Sequence, residues 1–170
     1  MQMGAGWRGD LMVNSSRTGR KGAIQAWIRN PGFAVVTLAR AMQRWHARGT
    51  PVGKAISALI WWHIVRRYGC YISPAARFGS ALRLPHPVGI VIGDDVRLGD
   101  NVTLYQHVTL GRRNAALASY PVVGDGVTVY AGAVLVGPIT IGEGAVIGAN
   151  AVVASDVAPG RIARVRSGDA

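Results

Sequence analysis

The fold is decided by residues 121–153, PVVGDGVTVYAGAVLVGPITIGEGAVIGANAVV, in which a large apolar residue returns at every sixth position. The residue two before it is usually small or β-branched, and the residue after it is often glycine. A strand has period two and an α-helix period 3.6, so neither explains a strict period of six. Upstream residues continue the series, which has thirteen members: Ile72, Phe78, Leu84, Ile92, Leu98, Leu104, Leu110, Val123, Val129, Leu135, Ile141, Ile147 and Val153.

A six-residue unit with one large inward residue, one small inward residue and a glycine at the bend forms one side of a triangular prism. Three units close one coil, and thirteen units make a little over four coils. Each coil then buries its apolar side chains against its neighbours. The sequence therefore predicts an all-β domain at residues 70–158, a parallel β-helix of hexapeptide repeats. The period alone leaves its handedness open.

Two short α-helices are expected before the repeats, in an N-terminal segment at residues 30–69. Asn30-Pro31 and Thr50-Pro51 each place a capping side chain before a proline at the first helical position, where the missing N–H costs nothing. Residues 1–29 are rich in glycine, serine and arginine, and they are interpreted as a disordered basic leader. Residues 159–170 are interpreted as a C-terminal tail.

The second of these helices is apolar nearly all round between Leu59 and Val65 and is followed by Arg66 and Arg67. One interpretation is a helix packed beneath the repeats or against a partner subunit. The alternative is a helix that lies on a membrane surface, where tryptophan beside arginine suits the headgroup boundary. Its apolar stretch is shorter than the roughly 20 residues that span a bilayer.

Composition limits the compartment and the partners. Cys70 is the only cysteine, so no intramolecular disulfide forms, and a cytoplasmic location is expected, with peripheral contact on the inner membrane face as an alternative. Nineteen Lys and Arg against eight Asp and Glu give a formal charge of +11. This charge favours an anionic partner, such as nucleic acid, anionic lipid, a phosphorylated carrier or coenzyme A, and does not choose among them.

The repeat is interrupted twice, and interruptions of a regular solenoid are where function is expected. Between Leu84 and Ile92 the spacing is eight, and between Leu110 and Val123 it is thirteen, which ejects a loop. The first break holds His86 between two prolines. Histidine can take a proton from a hydroxyl group at neutral pH, as acyl transfer to an alcohol requires. A corner histidine satisfied by a backbone carbonyl is the alternative.

Residues 84–93, LPHPVGIVIG, and 102–111, VTLYQHVTLG, resemble the serine acetyltransferase family of the hexapeptide-repeat acyltransferase superfamily. They look most similar to its colanic-acid and exopolysaccharide-biosynthesis branch. The resemblance implies a left-handed parallel β-helix, a homotrimer and acetyl-CoA bound in a groove between subunits. It also implies that His86 is the catalytic general base. No metal is expected, because the sequence has no paired-cysteine site and no helix with two histidines four apart.

Three positions depart from that family. Its members carry aspartate where this chain has Pro85, a second aspartate at Tyr71, and a histidine at Tyr120. Because proline cannot bind an ammonium group, free L-serine is expected to be a poor acceptor and a sugar hydroxyl a better one. Tyr71, Tyr120 and the outward-facing His107 are the expected acceptor-binding residues, although His107 is also interpretable as a solvated surface histidine.

The resemblance also suggests positions for the co-substrate. Small residues that let the pantetheine arm approach the backbone are expected at Gly111, Ala131, Gly132 and Ala149, and turn geometry is their alternative explanation. Arg164 matches a basic residue of the family's closing segment that meets a CoA phosphate.

The expected activity is O-acetyl transfer from acetyl-CoA to a sugar hydroxyl, on a sugar or lipid-linked oligosaccharide, in exopolysaccharide or capsule biosynthesis. The first alternative is serine O-acetylation for cysteine biosynthesis. Two further alternatives are a metal enzyme of the γ-carbonic-anhydrase kind, which needs three histidines, and a non-catalytic scaffold. Nucleic acid is not an expected partner.

Overall fold

The computed structural model describes residues 6–114 and 119–164. Within them, four helices precede thirteen short strands. The helices are α1 (Gly6–Ser15), α2 (Gly19–Arg29), α3 (Pro31–His46) and α4 (Pro51–Tyr68). The strands are β1 (Tyr71–Ile72), β2 (Arg77–Phe78), β3 (Val91–Ile92), β4 (Arg97–Leu98), β5 (Thr103–Leu104), β6 (Thr109–Gly111), β7 (Val122–Val123), β8 (Thr128–Val129), β9 (Val134–Val136), β10 (Thr140–Ile141), β11 (Val146–Ile147), β12 (Val152–Val153) and β13 (Ile162–Ala163).

The strands form the three faces of a left-handed parallel β-helix, as expected. The first face has the order β1-β3-β6-β9-β12, the second β10-β7-β4-β2 and the third β13-β11-β8-β5. Parallel pairing stacks equivalent repeat positions, so that Ile72 pairs with Ile92 and Ile92 with Leu110. Twelve of the thirteen repeat residues are buried and Phe78 is partly buried, so the sixfold pattern marks the core.

The β-helix continues beyond its expected end at residue 158. Strand β13 pairs with β11, with Ile162 opposite Val146, and Val157 bridges to Ile141 on the second face. The prediction of a tail is therefore wrong for residues 159–164. The sixfold spacing breaks after Val153 because Val157 and Ala163 follow their partners Ile141 and Ile147 by sixteen residues, whereas Val153 follows its partner Leu135 by eighteen. Residues 165–170 of the predicted tail lie outside the described residues.

The helix starts at residues 31 and 51 are confirmed by their caps. The Asn30 side chain accepts a hydrogen bond from the Phe33 N–H at 2.9 Å, and the Thr50 hydroxyl accepts one from the Gly53 N–H at 3.0 Å. These bonds satisfy N–H groups that the first helical turn leaves without a partner. Gly69, with φ of 64°, ends α4 in the left-handed conformation.

The two expected helices are α3 and α4, but the prediction of a disordered leader is wrong for residues 6–29, because they form α1 and α2. The Asp10 carboxylate is 1% exposed and pairs with Arg40 of α3 at 2.5 Å, and it also accepts the Leu82 N–H at 3.0 Å. Leu11, Ala26 and Phe33 form a small apolar cluster. These contacts join residues far apart in sequence, which a local pattern cannot show. Residues 1–5 of the predicted leader lie outside the described residues.

Helix α4 is enclosed on one face only. It packs on α3 and buries Ile64 in the core. Its other face exposes Val52, Leu59 and Trp62 at 66%, 68% and 55%. Within a single chain, the expected packing beneath the repeats therefore covers only half of the helix. No helix among the described residues is long and apolar enough to cross a membrane.

Candidate functional site

His86 lies where the first coil turns into the strand β3. Pro87 is buried beside it and fixes the chain, while the Val88 N–H donates to the His86 carbonyl at 2.8 Å. The insertion of two residues widens this corner, so the His86 side chain is exposed rather than drawn into the core. Among the described residues no hydrogen bond to its imidazole is found, which leaves the ring able to accept a proton from a bound hydroxyl.

A groove of about 700 Å³ opens beside this imidazole, a volume within the range of small-molecule sites. Three parts of the chain meet there, namely the junction of α2 with α3, the end of α4 and the proline-rich corner. None of the ten described residues that line it is acidic, and Arg67 brings a guanidinium group. The lining residues are Trp27, Ile28, Pro31, Arg67, Tyr68, Gly69, Pro85, His86, Pro87 and Val88.

Two tyrosines missed by the sequence analysis continue from His86 along the prism. The Tyr105 ring centroid lies 6.4 Å from that of His86, and Tyr130 stacks on Tyr105 at 5.1 Å with 15° between the planes. Both tyrosines directly follow a buried repeat residue, Leu104 or Val129. The two tyrosines thus occupy the same repeat position in successive coils, and this shared position could have predicted from the sequence that their rings stack.

Tyr71 and Tyr120, expected beside the acceptor, line a different pocket of about 360 Å³. The Tyr120 hydroxyl donates to one Asp94 oxygen at 3.4 Å, and Ser73 donates to the other at 2.7 Å. The Tyr71 ring meets Trp61 edge to face, with centroids 5.1 Å apart. Because His86 precedes β3 and Asp94 follows it, the two pockets lie at opposite ends of this strand. One chain does not bring these tyrosines to His86.

The remaining predicted residues are not among the described lining of the groove, although the His107 N–H donates to the carbonyl of the lining residue Val88 at 2.9 Å. His107 is exposed with φ of 58°, and a β-carbon on Gly89 would overlap its imidazole. Gly132 has φ of 72° and faces the Asn150 side chain, so turn geometry is sufficient to require glycine there.

Among the other positions expected to bind CoA, Gly111 faces open space, and Ala149 and Arg164 are exposed. Ala131 is partly buried, and its carbonyl accepts the Asn150 N–H at 2.9 Å. A role for these residues in CoA binding stays a prediction.

Cys70 lies next to the groove residue Gly69 but points into the core. Burial raises the pKa of its thiol, and a backbone hydrogen bond involving Ile90 acts in the opposite direction. A protonated thiol is a poor nucleophile, so we interpret Cys70 as a core residue and not as a nucleophile. Over residues 6–114 and 119–164, no three His, Cys, Asp or Glu side chains are grouped so that they could hold a metal ion.

Known proteins resemble the chain in both sequence and fold. Residues 120–155 match the family model of bacterial transferase hexapeptide repeats. The plasmid serine acetyltransferase of Synechococcus elongatus is 35% identical over 150 residues, which cover 81% of this chain and 46% of that protein. Serine acetyltransferase of Mycobacterium tuberculosis is 44% identical over 95 residues, covering 55% and 42%. The chain thus spans about half the length of these relatives.

A solved structure of soybean serine acetyltransferase complexed with serine superimposes with a TM-score of 0.81 at 30% identity. The match covers 94% of this chain and 65% of the soybean chain. It therefore includes the helices as well as the β-helix, and it supports the left-handed architecture.

These matches correct the expected function. The similar proteins are serine acetyltransferases, so they favour the serine alternative and contradict a sugar acceptor in exopolysaccharide biosynthesis. The emphasis on the colanic-acid branch is likewise unsupported. That emphasis gave three single positions, Pro85, Tyr71 and Tyr120, more weight than similarity over most of the chain. Residues 120–155 thus match the hexapeptide-repeat transferase model, and the proteins that the chain resembles in sequence and structure are serine acetyltransferases.

Proposed function

We propose that this chain transfers the acetyl group of acetyl-CoA to the hydroxyl group of L-serine, with His86 as the general base. The observation that carries the proposal is the exposed imidazole of His86 in a groove of about 700 Å³, in a chain similar to serine acetyltransferases over most of its length. The serine alternative of the sequence analysis thereby becomes the main proposal.

The transfer is a direct displacement. The imidazole of His86 accepts the hydroxyl proton while the serine oxygen attacks the thioester carbonyl. The carbon–sulfur bond then breaks, and the CoA sulfur leaves with the proton returned by the imidazolium. The products are O-acetylserine and CoA, and no acyl-enzyme forms. A base that lies within hydrogen-bond reach of the hydroxyl contributes about 10²–10⁴-fold to such a rate.

Charge in the groove indicates how the amino acid would lie. The exposed guanidinium of Arg67 would pair with the serine carboxylate, which leaves the hydroxyl to reach His86. The ammonium group has no carboxylate partner among the described lining residues, because Pro85 stands where the resembled family has aspartate. We therefore expect recognition through the carboxylate, with the ammonium group left in solvent.

The complete site would form in a homotrimer in the cytoplasm. Tyr71 and Tyr120 lie at the opposite end of β3 from His86, so they would reach an acceptor only from a neighbouring copy. Acetyl-CoA would then run along the coils, where Gly111, Ala131, Gly132 and Ala149 offer little side-chain bulk and Arg164 a cation for a phosphate.

The test follows thioester loss from acetyl-CoA in the presence of L-serine, for the wild type and for His86→Ala. We expect kcat to fall about 10²–10⁴-fold in the variant, while circular dichroism stays unchanged. His63→Ala is the matched control, because His63 is also exposed but lies on α4 outside the described lining of the groove. Equal activity of His86→Ala and the wild type would contradict the role of His86 as the base, and no thioester loss with either protein would favour the scaffold alternative.

Analogues of serine test the orientation. 3-Hydroxypropionate keeps the carboxylate and lacks the ammonium group, whereas ethanolamine has the reverse. We expect kcat/KM for 3-hydroxypropionate to approach that for L-serine and the value for ethanolamine to be much lower. A higher kcat/KM for ethanolamine than for 3-hydroxypropionate would show that Arg67 does not bind the serine carboxylate.

A further inference from the structure

Charge is divided unevenly between the two halves of the chain. Residues 1–69 contain eleven Lys and Arg and one acidic residue, Asp10. Asp10 is buried against Arg40, so it does not offset the positive charge at the surface. Residues 70–164 contain seven basic and six acidic residues. The helical half is therefore a strongly cationic surface joined to a nearly neutral β-helix.

One helix of this cationic half also exposes a row of large apolar side chains. On α2, Ile24, Trp27 and Ile28 are 64%, 48% and 73% exposed, and their spacing of three and four places them on one face. Arg20 and Lys21 lie one turn before them and are exposed. We call these five residues the α2 face.

The rest of the molecule holds this helix in place with the α2 face outward. Ala26, on the opposite side of α2, is 1% exposed and packs in the cluster with Leu11 and Phe33. At the C-terminal end, the Asn30 N–H donates to the Ala26 carbonyl at 2.7 Å. Exposure of Ile24, Trp27 and Ile28 is thus a consequence of how α2 is anchored.

Charge identifies what this surface fits. A second copy would present the same cationic half, and like charges repel when these surfaces meet. A nucleic acid would satisfy the arginines and lysines but offers nothing to isoleucines. An anionic bilayer satisfies both, since lipid phosphates attract the cations while Ile and Trp side chains enter the boundary between headgroups and acyl chains.

We propose that the α2 face binds the surface of an anionic lipid bilayer. Ile24, Trp27 and Ile28 enter the headgroup boundary, and Arg20 and Lys21 contact lipid phosphates. This inference is independent of the proposed acetyl transfer. It has a consequence for that site, however, because Trp27 and Ile28 also line the groove of His86. A bilayer on this face would cover one wall of the groove.

The test is cosedimentation of the full chain with vesicles of phosphatidylcholine alone or of phosphatidylcholine mixed with phosphatidylglycerol. We expect binding to the anionic vesicles only, with weakening at high salt. Changing Ile24→Gln and Ile28→Gln together should lower the partition coefficient roughly tenfold or more, because two isoleucines no longer leave water. Ile162→Gln is the matched control, since Ile162 is 64% exposed on the last coil.

A second variant, Arg20→Gln with Lys21→Gln, changes exposed side chains of the same helix and should also weaken binding without altering the circular dichroism. Equal binding to both kinds of vesicle would overturn the proposal, as would an equal loss in the Ile162→Gln control. Salt-sensitive binding of duplex DNA that is unchanged by the isoleucine substitutions, with no vesicle binding, would assign the surface to nucleic acid instead.

Discussion

The helical half and the β-helix of this molecule are held together in different ways. In the β-helix, each coil repeats the same contact with the next, so Ile92 pairs with Ile72 on one side and with Leu110 on the other. In the helical half, α1 is attached by a few specific contacts of Asp10 and Asn14 with α3 and the first coil. Repetition spreads stability over many equivalent positions, whereas the attachment of α1 depends on few.

The largest expected effect comes from removing the buried carboxylate that joins these halves. Asp10→Ala leaves the Arg40 guanidinium, 16% exposed at its side chain, without its carboxylate partner and with only backbone carbonyls as acceptors. It also removes the acceptor of the Leu82 N–H. Removal of one partner of a buried ion pair costs about 3–5 kcal/mol. We expect a lower midpoint of urea unfolding and faster proteolysis in residues 6–29.

Asp156→Ala is the matched control for that substitution. Asp156 is exposed and accepts the Thr140 N–H at 2.7 Å, so its loss should cost much less. If both variants unfold at the same urea concentration, the buried contacts of Asp10 contribute no more stability than an exposed hydrogen bond of the β-helix, and the proposed contrast is wrong.

A smaller effect is expected at a corner of the β-helix and separates turn geometry from CoA binding. Gly132→Ala places a β-carbon against Asn150 in a left-handed conformation, whereas Gly144, with φ of 66°, has no atom near such a carbon. The left-handed backbone conformation alone costs an alanine roughly 1–2 kcal/mol. Gly132→Ala and the control Gly144→Ala should therefore both lose stability, and Gly132→Ala should lose more. A KM for acetyl-CoA raised only in Gly132→Ala would support the predicted contact with the co-substrate.

The smallest expected effect concerns pH and Cys70, at the junction of the two halves. Burial raises the pKa of this thiol above its ordinary value of 9.0. The folded state therefore favours the protonated thiol, so this contribution is complete below pH 9 and is lost as pH rises through the raised pKa. Urea midpoints measured on both sides of pH 9 should fall more steeply for the wild type than for Cys70→Ala. Parallel curves would contradict the burial effect.

The candidate site lies where the two halves meet, and this explains which of its residues were predictable. His86 stood out because it interrupts the sixfold repeat, a property of the local sequence. Trp27, Ile28 and Arg67 carry no such mark, because α2 and α4 reach the groove only after they pack on α3. Tyr71 and Tyr120 were expected at His86 on the basis of resemblance, but strand β3 separates the two pockets within one chain.

The sequence by itself determined the β-helix and two helix starts, because a sixfold repeat and a capping residue before proline act over a few neighbouring positions. Only the tertiary structure decided that residues 6–29 are helical, since Asp10 is stabilised by Arg40 and Leu82, which are remote in sequence. It also decided which side chains share the groove with His86. Local patterns record what a residue does with its neighbours in sequence, whereas a site at a junction depends on contacts that exist only after both halves have folded.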